Sequence, residues 1–194
     1  MSEKKLNQET AEELKPKDPA QEDYEQGQKF HSDLDTALAA NAFHNALIGF
    51  EQSNNESGVA NASDKLGDIC QERNEYQKAL EHYRRAFDIC DRLKDAASVI
   101  SLQKKMAVSY LSLGQHQETL KIYFELFDTF SDWKNPGLIV EMLEKIAELY
   151  VETNEKDKAI DAYNTAASIH NNYGHPNQAQ IFLNKATELA GQPQ

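Results

Sequence analysis

The same pattern of residue types is written four times in this chain, forty residues apart, and that repetition decides the architecture. One copy reads Leu66, Gly67 and Cys70, then Tyr76, Ala79, Tyr83, Ala86 and Ile89. Downstream stand Met106, Ala107 and Tyr110, then His116, Thr119, Tyr123 and Leu126. Further on come Ile146, Ala147 and Tyr150, then Lys156, Ala159, Tyr163, Ala166 and Ile169. Upstream are Gly27, Phe30, Ala39, Phe43 and Ala46. A fixed period between about 20 and 50 residues marks a solenoid, in which each unit buries its apolar face only against its neighbours. Such an architecture offers a long binding surface, so the pattern points to a binding protein and away from a catalyst.

Charge narrows the partner. The 194 residues carry a formal net charge of −12, which disfavours nucleic acid and anionic membrane surfaces and favours protein or peptide partners with basic surfaces. No run approaches the roughly 18 apolar residues of a membrane span. The polar start, Met1 to Pro19, lacks the apolar stretch of a signal peptide, so the expected location is cytoplasmic. Cys70 and Cys90 fit that compartment as small apolar groups within helices.

Residues 1–19 hold almost no large apolar side chains and are expected to form a polar, disordered tail. Helical periodicity then runs over 20–190, leaving 191–194 as a second tail. The spacing predicts helices near 20–33, 35–52, 57–73, 75–93, 97–113, 115–132, 137–153, 155–172 and 177–190. Short breaks such as Arg73-Asn74-Glu75 and Leu113-Gly114-Gln115 suggest a tight turn inside each unit. Longer breaks, Ser53 to Gly58 and Lys134 to Gly137, suggest a looser turn between units. The last helix has no partner after it and is expected to act as a cap, with Ile181, Phe182, Leu183 and Leu189 mostly buried.

The quoted positions resemble the tetratricopeptide repeat (TPR), over about residues 20–190. That family places a large and a small residue in helix A, and small, aromatic and small residues in helix B. Thr119 and Leu126 depart from the small positions, and the forty-residue period is similar to that of the long-helix subclass. The resemblance implies an all-α, right-handed superhelical solenoid of four antiparallel helix pairs and a capping helix. It also implies that the A helices line a concave groove.

Carried across by register, the groove positions are Tyr24, Gln28 and His31; then Asn61, Asp64, Asp68 and Gln71; then Ser101, Lys104, Val108 and Leu111; then Glu141, Glu144, Glu148 and Val151. Spacings of three, four and seven put each set on one helical face. Asp64 and Asp68, and Glu141, Glu144 and Glu148, make acidic walls around Lys104 and the apolar Val108 and Leu111. That composition suits a basic or amphipathic segment. Some TPR proteins clamp a carboxylate terminus with several basic groove residues; only Lys104 is basic here, which excludes that ligand class.

No phosphate loop, nucleophile elbow or metal-ligand spacing is present, so no catalytic residue, cofactor or metal is expected. The expectation is a non-catalytic adaptor or scaffold, monomeric or weakly dimeric. The alternatives are a small acidic chaperone for a secreted or assembling partner, and a self-associating scaffold whose ends stack. Trp133 is expected to pack over the end of a helix pair, or to anchor a partner. If Ala79 and Ala159 sit at close helix contacts, Ala79→Leu and Ala159→Leu each lower stability by about 1–3 kcal/mol through overpacking. Thermal melts of the two variants check this.

Overall fold

In the computed structural model of the chain, residues 18–191 are described; of the expected tails, 1–19 and 191–194, the stretches 1–17 and 192–194 lie outside them, while Pro19 and Gly191 fall within helices. Every regular element among the described residues is an α-helix. The chain divides into two compact units, one up to Ala96 and one from Ala97.

The first unit holds α1 (Pro19–Ser32), α2 (Thr36–Gln52), α3 (Glu56–Glu72) and α4 (Tyr76–Arg92). The second holds α5 (Ala96–Ser112), α6 (His116–Asp132), α7 (Pro136–Glu152), α8 (Lys156–Asn172) and α9 (Pro176–Gly191). The odd-numbered helices are the A helices of the repeat and α2, α4, α6 and α8 the B helices. Each helix end lies within a residue of its expected place. Asp18, expected in the tail, is the N-cap of α1, its side chain accepting from the Ala20 N–H at 3.1 Å.

The turns correct the expected alternation of tight and loose. All eight use one geometry. At the first, the Asp35 N–H donates to the Phe30 carbonyl at 2.9 Å and the Leu34 N–H to the His31 carbonyl at 3.1 Å. This is the Schellman closure. Its long-range bond recurs from Asn55 to Phe50, Glu75 to Cys70, Asp95 to Cys90, Gln115 to Tyr110, Asn135 to Phe130, Glu155 to Tyr150 and His175 to His170. The apparently longer breaks are short turns followed by helix. Asn55 and Asn135 are N-caps, donated to by the Gly58 and Leu138 N–H groups, so Gly58, Pro136 and Gly137 already lie in first turns. Proline at the first helical position costs no hydrogen bond.

Packing within a pair depends on a small residue in the A helix facing an aromatic ring of the B helix. A Cβ added at Gly67 would stand 2.4 Å from Tyr83 Cε1, and one at Gly27 2.7 Å from Phe43 Cδ1. Ala107 and Ala147 hold the same position in the second unit, both fully buried. Ala39, Ala79 and Ala159 have no exposed surface, nor do Thr119 and Leu126, which replace the usual small residues in α6. Thr119 Oγ1 satisfies itself on the Gln115 carbonyl at 3.1 Å.

One side chain departs from expectation. Ile181 on α9 is 56% exposed, while Phe182 is buried and Leu183 and Leu189 are half-buried. Ile181 shares the register of Glu141 and Ser101, so it belongs to the A-helix face rather than to the seam with α8. Trp133 caps α6 with its ring tilted against Phe130 at 5.9 Å and half of its surface exposed.

Each turn needs one left-handed residue, supplied by Asn54, Asn74, Lys94, Gly114, Lys134, Asn154, Gly174 and, at the first turn, Leu34 with φ 63°. Leu34 is 86% exposed, so it gains no packing for that conformation. Leu34→Gly is expected to raise stability by about 0.5–1 kcal/mol, measured as a higher denaturation midpoint at unchanged m-value.

Candidate functional site

The residues assigned by register fall into two sets, one in each unit. None of them is buried. In the first unit Tyr24 leans on Phe43 and Phe50, ring centroids 5.4 and 6.3 Å away, so it is half wedge and half surface. Gln28 and Asn61 are exposed, and Asp64 and Asp68 half-buried. His31 Nε2 lies 2.8 Å from Glu72 Oε1, which ties α1 to α3.

Asp68 is fixed from below. The Tyr83 hydroxyl donates to Asp68 Oδ1 at 3.0 Å and reaches Gln71 Oε1 at 3.3 Å, and Lys65 Nζ approaches Asp68 Oδ2 at 3.4 Å. Burial, and then the Asp68 carboxylate, push the Tyr83 hydroxyl well above the usual tyrosine range. The ring that packs on Gly67 therefore presents its polar end to the A-helix face. Packing and site share one side chain.

In the second unit the acidic stripe of α7 is partly neutralised by lysines that register alone did not pair. Lys104 Nζ donates to Glu141 Oε1 at 2.9 Å, with its ammonium 5.7 Å from the Phe130 ring. Lys185 Nζ donates to Glu144 Oε1 at 2.6 Å and lies 5.4 and 5.6 Å from the rings of Tyr163 and Phe182. Lys185 was not among the expected site residues. Its hydrogen bond to Glu144 raises its pKa, opposed by partial burial. Both pairs are more than a third exposed, so each contributes little to stability, about 0–1 kcal/mol.

Glu148 is different. It is exposed and holds no ion pair among the described residues. Val108 and Val151 beside it in the A-helix register are 46% and 41% exposed, and Leu111 is half-buried. The A-helix face of this unit thus combines apolar side chains with two glutamates paired within the chain and a third that holds no cation among the described residues. Clefts lined by Asn154–Lys158 and by Gly114–Glu118 with Leu120, Thr153 and Glu155 sit at the turns and include none of the expected site residues. Among the described residues no group of three or more His, Cys, Asp or Glu could hold a metal ion, and no helix is long and apolar enough to cross a membrane. Cys70 and Cys90 are free thiols.

Residues 5–134 match the family model of soluble NSF attachment protein, SNAP. The chain belongs to the soluble NSF attachment protein family. The tetratricopeptide repeat model matches 140–173 and 160–193, which extends the repeat through the end of the second unit. No curated protein matches the sequence. Among solved structures the chain is similar to the TPR-like repeats of a putative kinesin light chain from Podosopora anserina, with TM-score 0.71 and 14% identity over 91% of this chain and 90% of that one. The apo form of RapI aligns with TM-score 0.70 and 14% identity over 87% of this chain. A Rap conjugation gene regulator of plasmid pLS20, in complex with the Phr* peptide, aligns with TM-score 0.56 and 12% identity over 87% of this chain. The chain spans 63% of RapI and 52% of that regulator. At these identities the likeness shows the fold, an all-α TPR-type helical repeat.

A tyrosine whose folded pKa is raised takes its proton up again on folding, so its contribution is intact below the unfolded value near 10 and fades as pH climbs toward the folded value. Stability is expected to fall above about pH 10. Tyr83→Phe should flatten that fall, while costing about 1 kcal/mol at neutral pH because Asp68 loses its donor. Urea midpoints across the pH range check both.

Proposed function

We propose that this chain is a non-catalytic adaptor that seats a basic or amphipathic segment of a partner protein against its A-helix faces. The carrying observation is the second-unit face, where exposed Val108 and Val151 lie beside half-buried Leu111 and the carboxylates of α7. Apolar contact there supplies affinity; the acidic residues Asp64 and Asp68 in one unit, and Glu148 in the other, act on encounter rate and partner choice. Tyr24, Gln28 and Asn61 extend the face of the first unit.

Two comparisons support the reading. The family name is that of an attachment protein, and a structure of the same fold was solved with a peptide bound. The free thiols are consistent with a reducing, cytoplasmic setting. Exposed Ile181 gives the stacking-scaffold alternative a foothold, and light scattering on the wild type and on Ile181→Gln separates monomer from assembly.

The deciding experiment captures partners with the full chain, then measures binding of each to surface variants. Val108→Asp is expected to weaken binding by about tenfold or more. Glu144→Lys with Glu148→Lys should slow association and flatten its salt dependence. Trp133→Ala should leave binding unchanged. Loss of binding in Trp133→Ala with all A-face variants intact would overturn the assignment.

A further inference from the structure

The turn between α8 and α9 breaks the repeat at two positions at once. In each turn that leads from a B helix to the next A helix, one backbone bond joins the residue before the A helix to the B-helix residue five places earlier. The pairs are Asn55 with Phe50, Asp95 with Cys90, Asn135 with Phe130 and His175 with His170. In the first three turns the B-helix member is apolar and buried, with 2%, 6% and 1% of its surface exposed. The other member is Asn or Asp, and Asn55 and Asn135 accept from the Gly58 and Leu138 N–H groups. Short oxygen-bearing side chains are preferred there because they satisfy the first turn of the helix. At the last turn both places hold histidine.

The two departures meet in space. The ring centroids of His170 and His175 lie 6.0 Å apart, with 75° between the ring planes. His170 is stacked on Phe182 of α9 at 5.5 Å, which holds its ring in place. It is half-buried, and His175 is exposed. No hydrogen bond to a described residue engages either ring, and neither ring holds a buried nitrogen without a partner, so the nitrogens stay open to solvent. Two imidazoles that share one ion through N–metal bonds of about 2.0–2.1 Å keep their centroids roughly 5–6 Å apart. The pair therefore stands near the spacing that one shared ion requires. Lys185, whose ammonium lies 5.6 Å from the Phe182 ring, is held by Glu144.

We propose that His170 and His175 form a site for a divalent transition-metal ion of the kind that takes imidazole nitrogen, such as Zn2+, Ni2+ or Cu2+. Two protein ligands leave the remaining positions to water, unlike the four-ligand closed structural zinc sites. One ligand stands near the end of α8 and the other just before α9. A bound ion therefore pins the last helix to the pair it covers, and its binding free energy adds to the stability of the folded chain. Mg2+ and Ca2+ take oxygen ligands and are not held by this pair. The site is independent of the A-face reading.

The probe is the metal alone. Ni2+ is titrated into the full chain while the histidine ring signals are followed by NMR. Paramagnetic broadening is expected to reach His170 and His175 before the other histidines. In thermal melts Zn2+ should raise the midpoint as its concentration rises, and Mg2+ should leave it in place. Two variants restore what the other turns carry, so both are compatible with the fold: His175→Asn, as at Asn55 and Asn135, and His170→Phe, as at Phe50 and Phe130. Each should weaken Ni2+ binding by at least about tenfold, since even changes outside the ligand shell cost that much. Broadening spread evenly over all the histidines, or centred on others, would overturn the site. So would a midpoint that ignores Zn2+, or a His175→Asn chain that binds Ni2+ as tightly as the parent.

Discussion

The close approach of a small A-helix residue to a B-helix aromatic ring is the constraint from which the rest of each helix pair follows. At Gly67 there is no room for a methyl group beside Tyr83. That contact sets how near α3 and α4 come and buries Tyr83 completely. It also aims the Tyr83 hydroxyl at Asp68, the residue next to Gly67 on α3. Buried hydroxyls need partners. In this pair the polar end of a core ring meets an A-helix surface position. Asp68 answers Tyr83 within the chain, and Glu148 holds the repeat-equivalent position on α7.

Much of the fold was legible because the signals are local. Helix ends were placed to within a residue, since Asn, Gly and Lys at left-handed positions and Asp or Asn at N-caps recur with the repeat. The turn lengths were misread where Pro136, Gly137 and Gly58 looked like loop residues; in the folded chain they open helices, as their dihedral preferences allow. Leu34 gave no warning. Nothing in its side chain favours a positive φ, and only the register of the later turns imposes it.

The surface placement of the candidate residues was legible in register, and their charge pairing was not. Spacing alone put Glu141, Glu144 and Glu148 on one face. It could not show that Lys104 and Lys185, about one repeat length away on either side, swing across to Glu141 and Glu144. Long side chains make such pairs without any local pattern. The face is consequently less acidic than its composition suggests, with Glu148, Val108 and Val151 left exposed on it. Ile181 was missed for a related reason: on a terminal helix an apolar residue reads as core, although its register places it with the surface residues.

A double-mutant cycle between Gly67→Ala and Tyr83→Leu tests the governing contact most directly. In the wild-type background Gly67→Ala should cost about 1–3 kcal/mol, because the methyl meets a ring that cannot retreat. With the ring replaced by leucine, most of that cost should vanish, a coupling of at least about 1 kcal/mol. Additive effects would show that the small residue and the ring do not set the helix spacing, and would contradict the account.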